Sequence, residues 1–296
     1  MVGAQNRPGV RVVREARAER SGFTLVETLI ALVLSSFIIV LVSHTFLVQN
    51  EFYATQTLRA GAQDNVRSAT ELLASEIRDV AAGGVVVAGA RTLTIRSPMT
   101  VGILCDINGS SNNGDVMTQG GEAAVETDEV AGLALRIGST WSFVNATWGS
   151  VNGSDATSAR NCFSNGADTV GARDDFHRLT NLNTVFSELT PTQGDAVMVF
   201  RETTFTIRQS QLDPTTLALY RQPYSGNAVE FATGMDTTAQ FQFRTIGGSF
   251  VDSLTSELSN VDAVRIVVET LEPAPTGGAD DVRFGWSVTV PLRSVR

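Results

Sequence analysis

No formal charge occurs from Thr28 to Asn50 when His44 is neutral, and Phe23 to Val26 lengthen this apolar run at its front. At about 1.5 Å of rise per residue, a helix of that length covers the roughly 30 Å of a bilayer's hydrocarbon core. Arg7, Arg11, Arg14, Arg17 and Arg20 precede it, and the next charge after it is Glu51. The positive-inside bias therefore keeps the leader cytoplasmic and exports the large C-terminal part. The leader is +3, five Arg against Glu15 and Glu19, so a whole-chain charge of −9 leaves −12 on the remainder. A body this acidic argues against broad nucleic-acid binding, which needs an excess of basic side chains.

Glu27 breaks the apolar pattern. A carboxylate at membrane depth costs roughly 2.5–3.5 kcal/mol on insertion scales and needs a partner. A secretory signal would have a shorter apolar region with its cleavage site behind it. Here the small residue, Gly22, stands in front, and an amphipathic pattern runs straight on from the apolar one. A cut between Gly22 and Phe23 would create an α-ammonium close to Glu27 in depth. A neighbouring subunit shifted along the axis could then place its ammonium on this carboxylate, and a buried pair of that kind fixes register more than it stabilises.

Gly22-Phe23-Thr24-Leu25-Val26-Glu27 and the apolar run resemble the class III signal sequence of type IV pilins and pseudopilins. The resemblance implies that a prepilin peptidase cleaves between Gly22 and Phe23 and that Phe23 is N-methylated. It also implies that Phe23, Thr24, Leu25, Val26 and Glu27 form the assembly and docking segment.

Beyond Phe52 the helical period persists with a polar face. Leu58, Ala62, Val66, Ala69, Leu73, Ile77 and Val80 fall on one side, and Arg59, Gln63, Arg67, Glu71, Ser75 and Arg78 on the other. Gly83-Gly84 supplies a stop. One helix from about Phe23 to Ala82 is expected, near 90 Å long at ~1.5 Å per residue, with a stripe in its second half that a sheet must cover. The segment from Ala62 to Arg78 is similar to the corresponding part of PilW-type minor pilins and to the J-type pseudopilin of type II secretion. The ending RFGWSVTVPLRSVR resembles the PilW-like closing strand and tail, with Ser294 where an Asn stands in that pattern.

Period-2 alternation marks strands around Phe205 and Ile207, Phe241 and Phe243, Val264 to Val268, and Phe284 to Val290. Further strands are expected at 85–88, 93–96, 130–137, 196–201 and 217–221. The expected fold class is α+β, a long N-terminal pilin helix, transmembrane in its first half and amphipathic in its second, packed against an antiparallel sheet. The expected segments are a cleaved leader at 1–22, a transmembrane part at 23–50, an amphipathic part at 51–84 and an exported β-rich domain at 85–296. About 245 residues beyond the apolar run suffice for a substantial core. Asp106 to Asp128 and Asn145 to Asp175, rich in Gly, Ser, Asn and Asp, are expected as loops.

Cys105 and Cys162 are the only cysteines. In an oxidising compartment an even pair suggests a disulfide, which would contribute about 4 kcal/mol in the chain-entropy model; two buried thiols are the alternative. Asp106, Asn108, Ser110 and Asp115 outline a Ca²⁺ loop, but Ser111 and Met117 stand where its Gly and Glu belong. His177, after Asp174-Asp175, is expected as a solvated loop residue. With His44 as the only other histidine, no His-dependent triad or metal cluster is expected, no phosphate or dinucleotide fingerprint occurs, and the chain is not expected to be an enzyme or to carry a cofactor. All 22 basic residues are Arg; there is no Lys.

The resemblance thus implies a minor pilin of a type IV pilus system, inserted near the filament tip or its initiating complex. Its implied partners are the prepilin peptidase, other major and minor pilins and the inner-membrane assembly platform. It would sit in the inner membrane as a single-pass protein before moving to the pilus or cell surface. The alternatives are a J-type pseudopilin and a membrane-anchored binding module or adhesin.

Overall fold

Among 296 residues, a computed structural model describes residues 22, 24–108, 113–118, 129–138, 140–150, 176–182, 188–272 and 282–292. Two compact units emerge, Met1–Thr55 and Gln56–Arg296.

Helix α1, Leu25–Arg78, contains no proline and a single glycine, Gly61. Its first half, in the first unit, buries no side chain. In the second unit the later part of the expected stripe is buried: Val66, Ala69, Leu73, Ile77 and Val80 are each at most 4% exposed, whereas Arg67, Glu71, Ser75 and Arg78 face solvent; the side chains of Leu58 and Ala62 lie outside the described set. Thr70 shares the buried face at no polar cost, because its hydroxyl donates to Val66 O at 2.9 Å. The helix ends four residues before the expected end at Ala82. A Val80 N–H to Ile77 O bond of 3.1 Å tightens its last turn. Gly83 then takes φ +82°, and a Cβ at Gly84 would meet Ala81 O and Arg96 O at 2.9 Å, so both positions demand glycine.

Among the described residues fourteen strands, all paired antiparallel, form one sheet. In chain order they are β1 (Val85–Gly89), β2 (Thr92–Asn108), β3 (Asn113–Thr118), β4 (Val130–Ile137), β5 (Thr140–Asn145), β6 (Thr147–Ser150) and β7 (Phe176–Thr180). There follow β8 (Ala196–Gln209), β9 (Leu217–Pro223), β10 (Val229–Met235), β11 (Gln240–Thr245), β12 (Phe250–Val251), β13 (Val261–Glu272) and β14 (Val282–Pro291). The α+β layout holds, a long apolar helix followed by an antiparallel sheet.

The long strands β2 and β8 pair from Thr92↔Thr206 to Ile103↔Ala196 and join two cores. At one end Leu93, Ile95, Phe205 and Ile207 pack with the helix stripe and with Leu219, Phe241, Phe243, Val264, Ile266 and Val290. At the other, Leu104, Val197 and Val199 pack with Val116, Leu133, Val144 and Leu179. Each large apolar side chain so buried contributes about 1.5–3 kcal/mol. The register shifts between Pro98 and Thr100. That bulge reverses the alternation of β2, so odd-numbered Leu93 and even-numbered Leu104 both reach the core side.

Polar residues separate the two cores. Arg201 donates to Glu129 at 3.3 Å, and Arg221 donates to Glu76 of α1 at 3.0 Å, which ties the second half of the helix to β9. On the opposite face of β2 and β8, Arg96 pairs with Glu202 at 3.0 Å and lies over the Phe143 and Phe200 rings, beside a smaller apolar cluster of Ala81, Ala131, Ala134, Met198 and Phe200.

Three expectations need correction. β2 reaches Asn108, and β3 lies inside the stretch 106–128 that composition marks as loop. Asp115 is buried there because Arg178 on β7 grips it with two bonds of 2.7 and 2.9 Å. β6 occupies part of the other expected loop, whose residues 151–175 lie outside the described set. His177 is a buried strand residue, 3% exposed and stacked on Trp148 at 4.3 Å between ring centroids. The facing aromatic ring of β6 draws it inward. Cys105, fully buried on β2, is disulfide-bonded; Cys162 lies outside the described residues.

Candidate functional site

The site is the beginning of α1. Thr24 is its N-cap: its carbonyl accepts from the Glu27 N–H at 3.1 Å and the Thr28 N–H at 3.2 Å, and its hydroxyl accepts from the Glu27 N–H at 3.3 Å. Glu27 therefore occupies the third helical position, the spacing of a Thr-x-x-Glu capping box. An acidic group in the first turn also offsets the positive end of the helix dipole. Part of the reason for a carboxylate here is thus local, a role for Thr24 and Glu27 that their spacing signals.

Gly22 has a different status. Among the described residues nothing lies within 4 Å of where a Cβ would stand, and its backbone is not left-handed. Among the described residues no contact requires glycine at this position. Phe23, the other half of the junction, lies outside the described residues.

Behind the cap the apolar surface is continuous around the helix. Large side chains from Leu25 (77% exposed) to Tyr53 (67%) are uncovered. Four of its hydroxyls are satisfied within the helix: Thr28, Ser35, Ser36 and Thr45 donate to the carbonyls of Leu25, Ala31, Val33 and Leu41 at 2.6–2.9 Å. These side chains make no demand on water, so Leu25–Ala54 is long and apolar enough to cross a bilayer. Glu27 remains its one formal charge before Glu51, and its carboxylate has no ion-pair partner among the described residues.

A capped, exposed apolar helix preceded by an Arg-rich leader and an unconstrained glycine is the arrangement of a prepilin. The model of the prokaryotic N-terminal methylation motif matches residues 17–43. The chain thus carries a type IV pilin-like prepilin signal, the mark of pilins and pseudopilins that are processed by prepilin peptidase and associate with other pilins. The motif and the helix fit a membrane-anchored protein with one span. No curated protein and no solved structure matches the chain.

Proposed function

We propose that the chain is a PilW-like minor pilin of a type IV pilus system, a non-catalytic assembly component of the filament's tip or initiating complex. Cleavage after Gly22 and methylation of Phe23 prepare it in the inner membrane. Glu27 then receives the Phe23 ammonium of a neighbouring subunit as the apolar helix leaves the bilayer for the filament and cell surface. The observation that carries this reading is Glu27 itself, a carboxylate without an ion-pair partner among the described residues in the first turn of an otherwise uncharged exposed helix. An unpaired charge at that depth is costly, whereas an incoming ammonium neutralises it.

Intact mass and N-terminal sequencing of membrane-derived protein test the processing step: removal of 22 of 296 residues leaves a mature chain of 274. The absence of lysine sharpens the test. With no lysine side chain to react, the uncut chain carries only a primary α-amine and the methylated product only a secondary one, so o-phthalaldehyde, whose fluorescent adduct requires a primary amine, should stain the unprocessed form and not the methylated product. An uncut chain in cells with active peptidase overturns the proposal. Co-purification with other pilins supports the pilus role, and co-purification with type II secretion components instead reassigns the chain to the J-type role.

A further inference from the structure

At one end of the sheet three turns meet around an open cleft of about 380 Å³. The β1–β2 turn supplies Arg91, the β8–β9 turn supplies Arg208, Gln209 and Pro214 to Leu217, and the end of β10 supplies Met235 to Thr237. The turns are locked to one another. Ile207 N–H donates to Arg91 O at 2.9 Å, Phe241 N–H to Ala90 O at 2.7 Å, and Arg91 Nη2 to Thr237 O at 3.0 Å. Arg208 lies flat on the Tyr220 ring, 4.0 Å from its centroid, and forms no salt bridge among the described residues.

The polar groups divide by what they still lack. Both guanidiniums carry donors and positive charge, so they select an anion. The threonine hydroxyls have already committed their protons: Thr215 donates to Asp213 Oδ1 at 2.6 Å, Thr216 to Asp213 O at 3.3 Å and Thr237 to Asp236 Oδ1 at 3.1 Å. What remains on each oxygen is lone pairs, which select O–H donors. An ammonium could also satisfy them, but the charged side chains lining the cleft are two guanidiniums, Arg91 and Arg208, against one carboxylate, Asp236, whose Oδ1 already takes the Thr237 N–H and hydroxyl, so the net charge of the lining disfavours a cation. Ile207, Leu217, Met235 and Pro214 supply an apolar floor that suits C–H surface. From this combination we propose that the cleft binds a polyhydroxylated carboxylate, a uronic-acid unit of an acidic saccharide, its carboxylate on Arg208 and Arg91 and its hydroxyls on Thr215, Thr216 and Thr237.

The test uses the full processed chain in detergent, with galacturonate and its short oligomers as probes, read by calorimetry or saturation-transfer NMR. Galacturonate should bind saturably, with galactose and inorganic phosphate each at least roughly tenfold weaker, since each lacks one half of the recognised chemistry. Arg208→Gln should weaken galacturonate by a similar factor without changing the unfolding temperature by more than a few degrees. Arg91→Gln serves as the second variant should the loss of stacking on Tyr220 unfold the first. Equal binding of galactose shows that the arginines select nothing, and equal binding of phosphate shows that the hydroxyls select nothing. Either result, or the absence of saturable binding, overturns the proposal.

Discussion

Leu72 and Leu73 are adjacent on α1, yet Leu72 is 50% exposed and Leu73 is fully buried against the sheet. Truncating each to alanine asks whether the stripe is held as described. Leu73→Ala removes buried methyl and methine groups from a core that includes Leu93, Ile95 and Phe205, and such changes cost about 2–5 kcal/mol. Taking ~3 kcal/mol, and ~2–4 °C per kcal/mol for a domain of this size, the unfolding temperature should fall by roughly 6–12 °C. Leu72→Ala loses little buried surface, and alanine is at least as good a helix former, so its shift should stay within about 2 °C. Thermal unfolding of the solubilised full chain, followed by the far-ultraviolet signal of the sheet, compares the two. Equal shifts, or a larger one for Leu72, would refute the assignment of the buried face. Prepilin cleavage should be unaffected in both, because the peptidase reads the junction at Gly22.

Glu27→Ala should preserve membrane insertion and cleavage but abolish cross-linking to other pilins at equal membrane abundance, whereas Thr24→Ala should weaken the helix start by about 1 kcal/mol and leave that cross-linking measurable. Normal incorporation of Glu27→Ala would reduce the carboxylate to its role in the first helical turn. Reduction of the chain should lower its unfolding temperature, and non-reducing peptide mapping should recover Cys105 linked to Cys162; full alkylation of both thiols without reductant would exclude the bond. Burial alone would raise the pKa of Glu230, but hydrogen bonds from Ser210, Tyr220 and the Gln211 N–H, with the charge of Arg208, outweigh it and hold the carboxyl below its ordinary value. A depressed carboxylate stabilises the fold above its unfolded pKa and loses that contribution as pH falls through the folded one. The gap in unfolding temperature between Glu230→Gln and the parent should therefore shrink on acidification, and a gap that widens would contradict the network.

Local signals carried far in this chain wherever the partner was generic apolar surface. The helix stripe from Val66 to Val80 and the strand around Val264 to Val268 could be read from periodicity, because burial against anything apolar satisfies them. Where the partner is a specific residue far along the chain, local sequence was silent. Asp115 in a Gly- and Asn-rich stretch resembles loop until Arg178, 63 residues on, neutralises it. His177 resembles surface until Trp148 covers it. β2 was legible only at 93–96, since Pro98 and the bulge invert the alternation that identifies a strand. The start of α1 was legible as a processing signal, but its Thr24–Glu27 cap went unread although the spacing displays it. The arginine-lined cleft had no local signature, because topology alone brings its three turns together.

The pairing of β2 with β8, and of the helix stripe with β11, β13 and β14, also sets the order in which the chain can find its shape. Synthesis runs from the N-terminus, so the apolar side of α1 is complete when Val80 emerges, whereas Phe241, Ile266 and Val290, which cover it, emerge 160 to 210 residues later. At about 5–20 residues per second that wait lasts on the order of ten seconds or more. During it the stripe has only the neighbouring β1–β2 hairpin, through Val85, Ala88, Leu93 and Ile95, as native cover, and contacts as distant in sequence as those to β11, β13 and β14 close slowly in any case. The body of the protein therefore stays an open client for holding chaperones until nearly its last residue has appeared.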